Sequence, residues 1–123
     1  MNMKKLIRIT FGASLLLAAG MAVACDYPNR VLVPNGSTAT EQEMIEGMRG
    51  VRKYVDDMEA YLACIVEEET QARADMGELD PDVEQERDNM LNKKYNAAED
   101  EKMRLAAQFN AEVQAYKAGQ EAQ

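Results

Sequence analysis

Apolar residues recur at alternating intervals of four and three positions through the middle of the chain. The series is Met44, Met48, Val51, Val55, Met58, Leu62 and Ile65. A 3.5-residue repeat over seven positions is typical of an α-helix that packs lengthwise against another helix. We therefore predict a helix from about 41 to 76. Thr40 and Glu43 have the spacing of a capping box at its start.

A second helix is predicted from about 81 to 118. Asp80 and Pro81 provide an N-cap residue and a proline at the first helical position. Lys102 occupies one position of the repeat, whose apolar members are Val83, Leu91, Tyr95, Ala98, Leu105, Phe109, Val113 and Tyr116. Because the turn at about 77–80 is short, the two helices must pack antiparallel. The predicted fold of 41–123 is all-α, a coiled-coil-like antiparallel two-helix hairpin.

The first 24 residues have the three parts of a secretory signal peptide. A basic start with Lys4, Lys5 and Arg8 precedes an apolar run that ends in Ala22-Val23-Ala24. The run is shorter than the roughly 20 residues of a membrane-spanning helix, which disfavours the alternative of an uncleaved membrane anchor. We predict cleavage after Ala24 and a periplasmic location for the remaining chain.

Residues 25–40 are predicted to form an extended tail, because Pro28 and Pro34 are incompatible with a continuous helix. The 15 residues from Cys25 to Thr40 can span about 50 Å when extended. The 24 helical residues from Thr40 to Cys64 cover only about 36 Å. The tail is therefore long enough to bring the two cysteines together.

Cys64 does not belong to the apolar repeat, and its side of the helix also carries Gly47 and Gly50. Glycines allow another backbone to approach closely, so the tail is expected on this side. A Cys25–Cys64 disulfide is favoured in an exported chain. Two alternatives remain open: lipidation of Cys25, although Ala22 replaces the branched residue of a lipoprotein signal, and a free or metal-binding thiol.

Charge and composition exclude several function classes. Without Lys4, Lys5 and Arg8, 22 acidic side chains stand against 11 of the 14 basic ones, a formal net charge of −11 instead of −8. This charge opposes binding to nucleic acid, and to anionic membranes unless Cys25 is lipidated. The chain has no histidine, and Ser37 is its only serine after residue 24. We predict no enzyme activity and no catalytic, cofactor or metal site.

These features favour a non-enzymatic periplasmic protein with a structural or protein-interaction role. The expected contact surface is the exposed end of the repeat at Met44, Phe109, Val113 and Tyr116. The partner would be another protein or a second copy in a homodimer. One alternative is a small acidic chaperone or stress protein with an adaptable methionine-rich face. Another is a divalent-cation binder that uses acidic helix faces, such as 67–69 and 99–101.

Three motifs together resemble a group of small exported proteobacterial proteins. They are Cys25-x-x-Pro28, Tyr61-Leu62-Ala63-Cys64 and Phe109-Asn110-x-x-Val113-x-Ala115-Tyr116-Lys117-Ala118. The resemblance covers nearly all of 25–123 and implies a shared architecture without an activity. In similar sequences the first cysteine need not directly follow the cleavage site, which favours the disulfide over the lipid.

Overall fold

The computed structural model describes residues 24–123, so the predicted signal peptide lies outside the described residues except for Ala24. Two long helices, α1 (Glu41–Met76) and α2 (Pro81–Glu121), pack against each other. The chain reverses within residues 77–80, and the predicted all-α antiparallel hairpin is confirmed. At 1.5 Å per residue, each helix is more than about 50 Å long.

Local sequence fixes both helix starts. Thr40 Oγ1 accepts a hydrogen bond from the Glu43 N–H at 3.2 Å, and a Glu43 carboxylate oxygen accepts one from the Thr40 N–H at 2.7 Å. This capping box holds the pKa of Glu43 below its ordinary value, chiefly through the backbone hydrogen bond. At α2, Asp80 occupies the N-cap position before Pro81, but its carboxylate accepts no capping hydrogen bond. Proline, rather than a capping side chain, therefore marks the start of α2.

The core between the helices follows the predicted repeat. Met58 and Leu105 are fully buried at its centre. The other buried residues of this cluster are Tyr54, Leu62, Ile65 and Ala98. A second buried cluster, toward the end away from the turn, consists of Met44, Val51 and Phe109. Burial of these apolar side chains is the main stabilising contribution to a hairpin of this kind.

The extended tail, residues 24–40, runs antiparallel to α1. Cys25 is bonded to Cys64, and the Tyr27 ring lies 5.0 Å from the Tyr61 ring in an edge-to-face arrangement. Further along, Val31 lies beside Gly50. These contacts confirm the prediction of a tail packed along the first helix.

The tail also contacts α2, which the sequence did not predict. An Arg30 guanidinium nitrogen lies 2.8 Å from a Glu101 carboxylate oxygen, and a second donates to the Gln108 side chain at 2.8 Å. The Gly36 N–H donates a 2.7 Å hydrogen bond to the Glu112 carboxylate. The tail therefore fills the groove between α1 and α2 on one side of the hairpin, as a third layer over the thin core.

Candidate interaction surface

The disulfide decides where the tail lies. Cys25 and Cys64 are bonded with their Cα atoms 5.7 Å apart, and no free cysteine remains among residues 24–123. The predicted disulfide is confirmed. The lipid alternative does not fit this arrangement, because a sulfur bonded to Cys64 cannot also form a thioether with a diacylglyceryl group.

The predicted contact surface is covered at two of its four positions. Met44 and Phe109 are 7% and 8% exposed, and Val113 and Tyr116 are half-buried beside them. The expectation that this end of the repeat is exposed is therefore wrong for Met44 and Phe109. The tail residues Val31, Val33 and Ala39 pack against the same cluster and cover it.

A tight turn positions the tail over this buried cluster. The Asn35 carbonyl accepts hydrogen bonds from the Thr38 and Ala39 N–H groups at 3.1 and 2.8 Å. The turn presents Gly36 directly to α2, where a Cβ would come 1.8 Å from the Glu112 carbonyl oxygen. Only glycine allows this approach, so the turn lies flat on the α2 backbone.

The opposite side of the hairpin carries a groove that the tail does not reach. We call it the open face, and define it by the residues that line it: Glu59, Leu62, Ala63, Val66, Glu67, Tyr95, Glu99 and Lys102. Its volume is about 480 Å³. On the helical wheel, Ala63 and Val66 flank the buried Leu62 on the side away from Cys64. Val66 and Tyr95 are 41% and 37% exposed, so the apolar floor of this groove is accessible to solvent.

Lys102 explains the one charged position of the α2 repeat. Its ammonium lies 2.9 Å from a Glu99 carboxylate oxygen on α2 and 3.6 Å from one of Glu59 on α1. The hydrogen bond to Glu99 raises the pKa of Lys102. The lysine thus bridges the helices at the edge of the open face, with its alkyl chain over the core.

An ion-pair network holds the helices together near the turn. Arg87 on α2 donates two 2.8 Å hydrogen bonds to the two Glu69 carboxylate oxygens, and Arg73 Nε donates a third at 2.8 Å. Arg73 also pairs with Asp88. The bonds from Arg87 and then Arg73 hold the pKa of Glu69 below its ordinary value. Glu69, a member of the 67–69 cluster named above as an acidic helix face, therefore joins α1 to α2.

A smaller cavity of about 220 Å³ lies between the helices beyond the end of the tail. Ile65, Ala72 and Leu91 form its apolar part. The charged residues around it are Glu68, Glu69, Arg87 and Lys94. Because Arg87 and Glu69 already bind each other, this cavity is a packing gap beside the ion-pair network.

Tyr54 is the most deeply buried polar side chain described, at 1% exposure. Its hydroxyl is buried without a hydrogen-bond partner in the part of the chain that the structure describes. Burial, with smaller contributions from Tyr27 and Glu101, raises the pKa of Tyr54. The tail thus covers a hydroxyl that water would otherwise solvate.

One or more members of the 67–69 and 99–101 clusters pair with basic side chains of the same protein. Glu101 accepts from Arg30 and Arg104, Glu99 from Lys102, and Glu69 from two arginines. No group of three or more acidic, cysteine or histidine side chains within 24–123 is arranged to hold a metal ion. Over the same stretch of chain, neither helix has a long enough apolar run to cross a membrane.

Comparison with known proteins gives no further guide to this surface. No protein family, curated protein or solved structure matches the chain significantly. The resemblance noted from the motifs stays a prediction. The open face was also missed from sequence, although Val66, next to the repeat and on the side opposite Cys64, was a signal for it.

Proposed function

We propose that this protein is an exported, non-enzymatic protein-interaction module that works in the periplasm. One observation carries the proposal: the chain covers one side of its hairpin with its own tail and leaves the apolar open face uncovered on the other. Val66 and Tyr95 keep more than a third of their surface accessible there. Accessible apolar surface with a charged rim is typical of protein-binding sites.

Two features support export. The first 24 residues have signal-peptide composition, and the fold depends on a disulfide between Cys25 and Cys64. Disulfides of this structural kind persist in oxidising compartments such as the bacterial periplasm. Reduction would remove this covalent link and leave only noncovalent contacts, such as Tyr27 with Tyr61, between the tail and α1.

Composition supports a role without catalysis. A chain with no histidine lacks the most common general base, and Glu69, Glu99 and Glu101 of its acidic clusters are paired with arginine or lysine. The open face is lined by apolar side chains, three glutamates and Lys102. These surfaces suit binding rather than bond cleavage.

Site-specific photo-cross-linking in living cells tests the proposal. A photoreactive residue at Ala63, an exposed position on the open face, should give a discrete adduct with another protein. The matched control is Leu32, which is 94% exposed on the tail side. Equal adduct patterns at both positions, or none at Ala63, would contradict the proposal.

A chaperone role is the second candidate, favoured by the cluster of Met44, Met48 and Phe109 beneath the tail. Because this cluster is covered in the disulfide-linked form, a chaperone would have to release its tail to expose it. Oxidised wild type and Cys64→Ser should then differ in an aggregation assay with a model client. Equal or absent suppression by the two forms counts against the chaperone.

A further inference from the structure

We infer that the open face binds a cationic amphipathic helix, with an apolar stripe and flanking lysine or arginine side chains. The inference rests on the proposed interaction function and specifies the chemistry of the partner. Three properties of the open face lead to it: an apolar floor, a lining without glycine and a rim rich in carboxylates.

The floor supplies the apolar contact. Leu62 in the lining is buried, while Val66 of α1 and Tyr95 of α2 contribute partly exposed apolar surface. A groove between two antiparallel helices is the site where a third helix packs in helical bundles. Side chains of an incoming helix would cover the exposed parts of Val66 and Tyr95.

The lining favours a helix over an extended segment. On the tail side, an extended chain lies close because Gly47 of α1 has no side chain where Pro34 packs. None of the residues that line the open face is glycine. A partner must therefore meet this face through its side chains, which is how helices pack, and the backbone cannot approach as the tail does.

The rim favours positive charge. Glu59, Glu67 and Glu99 line the groove with Lys102 as the only basic residue, and Lys102 is already engaged by Glu99 and Glu59. Glu67 pairs only with the neutral Gln71 side chain. The lining thus carries a net charge of −2, on a chain whose residues 25–123 have a formal net charge of −11.

This charge distribution disfavours a second copy of the chain as the occupant. Two open faces brought together would place carboxylate rims opposite each other between two strongly acidic proteins. A helix with lysine or arginine beside its apolar stripe would instead place positive charges opposite Glu59, Glu67 and Glu99.

Two synthetic peptides of about 18 residues, or five helical turns, test the inference. Both carry the same leucine stripe, flanked by lysine in one peptide and by glutamate in the other. We expect the lysine peptide to bind the oxidised full-length mature protein in fluorescence anisotropy, with affinity that falls as salt rises. The glutamate peptide should bind about tenfold more weakly or not at all. Equal binding of the two peptides would overturn the inference.

Matched variants place the binding on the open face. Val66→Asp should lower the affinity for the lysine peptide about tenfold, because it puts a charge on the apolar part of the groove. Val83→Asp is the control, since Val83 is exposed near the start of α2 and does not line the groove. Circular dichroism confirms that both variants keep their helix content. Equal affinities of the two variants would overturn the inference.

Two other results separate this inference from the proposed function. If neither peptide binds while Ala63 still gives a cross-linked adduct, the cationic helix is wrong and the interaction function stands. If sedimentation equilibrium shows a dimer that Val66→Asp dissociates, a second copy occupies the face and the inference is overturned.

Discussion

Pro34 of the tail lies directly against Gly47 of α1, where a Cβ on residue 47 would come 2.6 Å from Pro34 Cδ. The proline ring is rigid and cannot turn away from such an atom. Three residues further along α1, a Cβ on Gly50 would meet Val31 Cβ at 3.9 Å, an ordinary contact. The two glycines therefore have different structural roles. A side chain at position 47 would clash with the tail, whereas a methyl group at position 50 would fit.

Alanine substitution should separate these two roles. Gly50→Ala is expected to raise the free energy of unfolding by about 0.5 to 1 kcal/mol, because alanine is the better helix former. Gly47→Ala gains the same helix propensity but must displace Pro34, so we expect it to lower stability by about 1 to 3 kcal/mol. Urea denaturation of both variants measures the difference. Similar stabilisation by both would show that the tail does not press on residue 47.

Loss of the disulfide should release the tail. Cys64→Ser removes the closure of a loop with a sequence separation of 39 residues. We expect the free energy of unfolding to fall by roughly 3 to 4 kcal/mol on the chain-entropy estimate. Thermal denaturation of the variant, with dithiothreitol-reduced wild type as the control, measures the loss. The two should agree, and an unchanged melting temperature in both would contradict a stabilising disulfide.

Glu69 should make stability depend on pH. Its pKa is lowered in the folded state, so its contribution is fully present above the ordinary value of 4.5 and is lost as pH falls through the folded pKa. At pH 7, Glu69→Gln should lower stability by about 1 to 2 kcal/mol, a range that allows for partial exposure of the network. The gap between wild type and variant should narrow as pH falls below 4.5.

Glu67→Gln is the control for this titration, because Glu67 is exposed and pairs only with Gln71. Its stability at pH 7 should stay within about 0.5 kcal/mol of wild type, because it is a surface substitution outside the ion-pair network. A Glu69→Gln deficit that stays constant down to pH 2 would mean that the carboxylate charge is not what joins the helices.

Tyr54→Phe should not weaken the protein, because the Tyr54 hydroxyl is buried without a partner. We expect stability at pH 7 to be unchanged or higher by up to about 1 kcal/mol. Its raised pKa means that the unfolded chain loses the proton first, so wild type should lose stability as pH rises above the ordinary value of 10.0. The free energy of unfolding of Tyr54→Phe should fall less over that pH range, as measured by urea denaturation.

Tyr61→Phe is the matched control for Tyr54, since Tyr61 is only half-buried and its ring would still pack edge-to-face on Tyr27. Its stability at pH 7 should be close to that of wild type. A Tyr54→Phe variant that is several kcal/mol less stable at pH 7 would reveal a hydrogen bond from this hydroxyl to an ordered water.

The helices and the disulfide could be predicted because they depend on spacing along the chain. The 3.5-residue repeat from Met44 to Ile65 defines a helix and its packing side, and the capping box at Thr40 fixes its start. Chain length alone shows that Cys25 can reach Cys64. Such features depend on a few neighbouring residues or on the length of the backbone, so they can be predicted from the sequence alone.

The two sides of the hairpin were decided only by the tertiary structure. Whether the tail touches α2 depends on the distance between helices and on the register that brings Glu101 and Glu112 beside it. That contact buries Met44 and Phe109, which the repeat alone left at an exposed end. It also leaves Val66 and Tyr95 open on the other side. Sequence periodicity shows which side of each helix is apolar. The packing of the tail against the hairpin determines which of these apolar side chains stay exposed to solvent.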